Sequence, residues 1–145
     1  MLRYRFTFIG FVLGIGIVIL STIPLALPQK ETQVIEIDKL AHGFAYFCFA
    51  TSLFLALDLD WKFKTSKKST IISAFTLGLV LEIIQGSFLP YRSFELYDIL
   101  ANTLGIVLFI FLSKRVKKLL SNAVFLYISY LNKVLCNSKK ILKQT

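Results

Sequence analysis

The stretch Phe6–Leu27, "FTFIGFVLGIGIVILSTIPLAL", decides how the rest of the chain is read. A bilayer-spanning helix needs roughly 17–25 mainly apolar residues, and this run supplies them without one charge. Arg3 and Arg5 precede it, as in the positive region of a signal peptide. The run is longer than a cleavable core, however, and no A-x-A cleavage pattern follows, so an uncleaved span is expected. Pro24 falls near its end, where nearby polar groups can repair the lost backbone bond.

Working outward, the same signal recurs. Further spans are expected over about 40–59, 69–89 and 97–112, the fourth being the shortest. The 145 residues are 56% hydrophobic, with a mean hydropathy of +0.70, too apolar for a soluble domain with a polar surface. The fold class read from this is an all-α integral membrane protein. It has a four-helix bundle over 1–113 and a basic tail over 114–145. The tail's apolar centre is short and flanked by lysines. An amphipathic helix lying on the anionic cytoplasmic leaflet fits it best, and a fifth span is the alternative.

The net charge of +9 does not indicate nucleic-acid binding, because the basic residues flank apolar runs instead of forming one face of a soluble module. They orient the chain instead. Two lie at the N-terminus, four in the loop Lys62–Lys68 and eight from Lys114 to Lys143; only Lys30, Lys39 and Arg92 fall on the other side. The positive-inside rule then puts both termini in the cytoplasm. Cys48 and Cys136 make no disulfide framework. With a single histidine they match no zinc spacing either, and no cofactor is indicated.

This orientation brings polar residues of three spans to one outer layer. Asp38, His42 and Tyr46 follow at intervals of four and share a face of span two. Glu82 and Gln85 lie near the outer end of span three, flanked by Gly78 and Gly86. Asp98 and Asn102, with Gly105, share a face of span four. Ionisable residues inside a span normally turn toward the bundle interior or a wet cavity, so the three faces are expected to line one outward-open pocket. Plainer readings stay open: Asp38 and Asp98 as helix caps, Lys39 as an interfacial charge, Arg92 as a loop residue, and Asn102 and His42 as packing groups. Glu82 is the hardest to explain that way, because a carboxylate this deep costs several kcal/mol unless paired, neutralised or hydrated. Oxygen-rich ligands for a divalent metal exist in Asp38, His42, Glu82 and Asp98, but no metal is assigned.

"DKLAH" with Tyr46, then "ExxQ" at Glu82 and Gln85, then Arg92, Asp98, Asn102 and Gly105, taken in order, resembles the VanZ-like family. These are small bacterial membrane proteins named for an accessory teicoplanin-resistance protein. The resemblance covers roughly residues 35 to 110. Gly43 departs from it, standing where the family often has phenylalanine, and bears on local packing. The resemblance implies a cell-envelope role in a bacterial plasma membrane, and supplies no reaction or cofactor. The function expected is an outward-facing site for an anionic lipid-linked or amphiphilic envelope molecule. Arg92 and Lys39 would hold its headgroup, while Gln85 and Asn102 would donate hydrogen bonds. Tyr46 and Asp98 would line the site, and Glu82, His42 and Asp38 would act as acid–base groups if the protein is an enzyme. A proton-coupled small transporter, which would need a homo-oligomer, and a structural subunit are the alternatives.

Overall fold

The computed structural model describes residues 4–23, 33–90 and 94–141, with backbone alone at 33–37, 120, 121 and 123–141. Pro24, Lys30 and Arg92 lie outside the described residues. The chain divides into two compact units, Met1–Phe111 and Leu112–Thr145. Four α-helices are formed: α1 Arg5–Thr22, α2 Gln33–Leu55, α3 Ser66–Phe88 and α4 Leu96–Ile141. No strand occurs among the described residues. In lipid the backbone has to satisfy its own hydrogen bonds, and a helix does so within each segment.

All four expected spans are present as helices long and apolar enough to cross a membrane, in stretches Arg5–Thr22, Asp38–Asp60, Ser66–Phe88 and Leu96–Leu119. By the length and composition of its helices this is a multi-pass membrane protein. The fourth is not the shortest: α4 runs through 46 residues. The physical reason is local, since neither glycine nor proline occurs after Gly105 to break it.

The exterior of the first unit is apolar, as lipid contact requires. Phe8, Phe11, Leu40, Leu104 and Phe111 are all exposed. Its core holds Tyr46, Ala50, Phe54, Ala74, Leu81, Ile106 and Phe109. The rings of Phe54 and Phe109 lie 5.5 Å apart and tilted, packing α2 against α4.

Residues 56–60 widen the exit from α2 into a π-helical turn, in which the Trp61 N–H donates to the Ala56 carbonyl at 3.0 Å. Lys62 then adopts φ 53°, the left-handed region that lysine rarely visits. That turn lets the Phe63 N–H reach the Leu57 carbonyl at 2.7 Å, so the helix end keeps its carbonyls paired.

At the opposite end α2 and α4 meet backbone to backbone. A Cβ on Gly105 would overlap the carbonyl oxygen of Gly43. One on Gly43 would stand 3.2 Å from the Ala101 carbonyl oxygen. Gly105 is thus a packing requirement of this chain, and Gly43 gives its helix a tight fit against α4.

Candidate functional site

Asp38, His42, Glu82, Asp98 and Asn102 lie at the end of the bundle where α2 and α4 begin, but the cavity found there is walled by α2 and α1 and not by the three faces expected to share it. Asp38, His42 and Tyr46 lie on successive turns of α2 and line one cavity of about 170 Å³. Its other wall is α1, through Ile17, Leu20 and Ser21. A larger cavity of about 500 Å³ runs toward the Trp61 end, between Gly10, Gly14, Phe49 and Leu53. No titratable side chain lines it, whereas Asp38 and His42 line the smaller one.

Lys39 is held firmly. Its Nζ donates to Glu95 Oε2 and to Asp98 Oδ1, both at 3.0 Å, and lies 5.7 Å from the centre of the Tyr97 ring. The sequence offers Lys39 as a free contact for an anion, and the structure gives it two carboxylates of its own chain instead. Asp98 is buried, and a buried carboxylate needs a counter-charge. Asp98 Oδ2 remains on the side of His42, at 4.0 Å from Nε2, while Asp38 Oδ2 stands 3.9 Å from the same nitrogen. Both distances exceed a hydrogen bond.

Glu82 is 1% exposed, and its Oε2 accepts the Glu95 N–H at a long 3.4 Å. It is absent from the lining of the smaller cavity. The fully buried Gln85 has also found an internal partner. Its Nε2 donates to the Ser21 carbonyl at 2.8 Å, one of the last four carbonyls of α1, which lack helical partners. Gln85 therefore ties α3 to α1, and one of the two amide hydrogens that could have met a ligand is taken.

Asn102 lies one turn beyond Asp98 on α4. Gly78 of α3 makes room for it: a Cβ there would stand 3.4 Å from Asn102 Nδ2 and 3.3 Å from Tyr46 Oη. Asn102 is buried, and its Oδ1 has no hydrogen-bond partner among the described residues. Arg92, the other expected anion contact, is outside them.

Three members of the site have no place in the sequence reading. Glu95 lies in the connection before α4, three residues ahead of Asp98, and only that spacing hints at it. Tyr97 looks like an interfacial aromatic. Ser21 takes part through a carbonyl, which no side-chain pattern reveals.

Comparison with known proteins gives one family. The model described as VanZ/LLP1 matches residues 6–120. A curated protein of Schizosaccharomyces pombe, itself uncharacterized, is 38% identical over 68 residues, covering 47% of this chain and 41% of its own length. The chain thus spans about two fifths of the curated relative it matches. No solved structure matches.

Proposed function

The chain belongs to the VanZ/LLP1 family, and from that premise we propose that it is a cell-envelope protein with an outward-facing site for an anionic lipid-linked or amphiphilic molecule. The observation that carries this reading is the cavity between α1 and α2. Asp38, His42 and Ser21 make one part of its wall polar, and Ile17, Leu20 and Ala45 make the rest apolar. A molecule with a polar head and a hydrocarbon tail complements both, and ligand sites combine a mostly apolar lining with a few placed polar groups in this way.

In this reading the protein sits in a bacterial plasma membrane with both termini in the cytoplasm. Its basic tail lies against the anionic leaflet. Arg92 is the headgroup cation, because Lys39 is committed to Asp98 and Glu95. Were the site to turn a substrate over, Glu82 would be its general acid or base and His42 its partner, with Asp38 orienting the imidazole once the 3.9 Å gap between them closes. Changed teicoplanin susceptibility is the phenotype that the family's name recommends measuring.

Native mass spectrometry of the full chain, released from its own membrane in mild detergent, tests the proposal. One amphiphile of defined mass is expected to stay bound and to be lost in His42→Ala and Arg92→Ala. Retention of the same lipids by both variants defeats it. A structural role is the second reading, favoured by the Gln85–Ser21 and Lys39–Asp98 ties between helices. It predicts that abundance and melting temperature fall together with function.

A further inference from the structure

Asp38 and His42 stand one turn apart on α2, and Asp98 reaches them from the first turn of α4. Their donor atoms all lie within 4.8 Å of one another, and His42 Nε2 is 3.9 Å and 4.0 Å from its two carboxylate neighbours. Atoms spaced in this way leave a point roughly 2–2.5 Å from all three, within the bond lengths of magnesium, manganese and calcium. The gap is too wide for direct hydrogen bonds and has the dimensions of a cation.

Charge points the same way. At this end Lys39 pairs with Glu95 and Asp98, while the carboxylates of Asp38 and Glu82 lie near them with no lysine or arginine partner among the described residues. Lys39 takes Oδ1 of Asp98, so Oδ2 is left toward His42. A cation bound there would not displace the lysine. The hydrogen bonding is also incomplete. Asn102 Oδ1, one turn beyond Asp98, is buried without a partner among the described residues, whereas buried polar atoms are normally paired.

We propose that Asp38, His42 and Asp98 bind one divalent cation, of the manganese or magnesium kind. Asp38 and Asp98 each supply one carboxylate oxygen and His42 supplies Nε2. Two oxygens and one imidazole suit Mn²⁺ better than Ca²⁺, which prefers an all-oxygen shell. The remaining positions open on the cavity that Asp38 and His42 line, where water or an anionic group completes the shell. A cation here turns an acidic mouth into one that accepts a phosphate or carboxylate. The site rests on its three donors and does not depend on the amphiphile.

The test uses the full chain in detergent, stripped with EDTA and titrated with Mn²⁺ while the free-ion EPR signal is followed. Binding is expected to saturate at one ion per chain, with Mg²⁺ competing. Asp38→Asn and His42→Ala should each weaken it by about tenfold or more, as disturbed metal sites do. Asp38 is 46% exposed, so its amide variant should keep the wild-type melting temperature. Asp58→Asn, in the π-helical turn at the other end, should bind as the wild type does. Failure to bind at millimolar Mn²⁺, or wild-type affinity in both the Asp38 and the His42 variant, overturns the site. Native mass spectra of the same preparations separate the two proposals. Lipid retained without metal sinks only the cation site, and metal bound without lipid sinks only the amphiphile.

Discussion

At the end of the first unit where α1 begins, Thr7, Asp60 and Trp61 close tightly on one another. The Thr7 N–H and hydroxyl both donate to Asp60 Oδ2 at 2.8 Å, and Trp61 Nε1 donates to the Thr7 hydroxyl at 3.1 Å. At the end where α2 begins, His42 stands 3.9–4.0 Å from two carboxylates, Glu82 accepts at 3.4 Å, and Asn102 Oδ1 has no partner among the described residues. The first cluster is partly exposed, with Trp61 at 58%, whereas Glu82 and Asn102 are 1% and 4% exposed. Leaving a polar atom unpaired costs most where water is excluded. Between these two clusters the pattern is therefore the reverse of what stability alone would favour, although the buried Thr70 hydroxyl early in α3 also lacks a partner among the described residues. The first cluster, at the tight end, holds helices together. The second, at the slack end, leaves the gap that the proposed cation would fill, its Lys39–Asp98 and Gln85–Ser21 ties apart.

Breaking the slack end at its backbone should do the greatest damage. Gly105→Ala puts a methyl group onto the Gly43 carbonyl and is expected to cost about 3 kcal/mol, seen as a large loss of folded protein in detergent. Lys39→Met comes next, because it strands the buried Asp98 carboxylate. Partial exposure of Lys39 reduces the full penalty of a broken buried pair to about 2 kcal/mol, measurable as a lower melting temperature. At the tight end, Thr7→Val removes one hydroxyl that both donates and accepts. It should cost about 1 kcal/mol and leave ligand retention unchanged. His42→Ala should move stability least, by less than about 1 kcal/mol, yet weaken Mn²⁺ binding by about tenfold or more. If it proves as destabilising as Lys39→Met, the contrast between the two ends fails.

Much of this is readable in the sequence because lipid enforces simple rules. Long uncharged runs such as Phe6–Leu27 can hardly be anything but helices, and the four-residue spacing of Asp38, His42 and Tyr46 fixes their common face. The charge at Glu82 marks it as unusual before any coordinates are seen. Partnership is harder to read. Gln85 looks like a donor awaiting a ligand, but its partner is the Ser21 carbonyl, a group that every residue carries. Lys39 looks free because Glu95 lies outside any span. The length of α4 escapes as well, since a rise in lysine content reads as an end although lysine is a good helix former.

The close approach of Gly43 and Gly105 has a further consequence. Gly43 directly follows His42, and Gly105 stands two turns beyond Asp98 on the same helix. Main chain pressed on main chain has no rotamer through which to yield, so α2 and α4 reach a hard stop there. The separation of His42 from Asp98 is then gauged by the backbone and not by the groups that line the opening. Substitutions among those groups would alter what the proposed cation site attracts while leaving the spacing of its α2 and α4 donors alone. In that site donor chemistry and donor spacing are thus set by different parts of the chain, and each can change without the other.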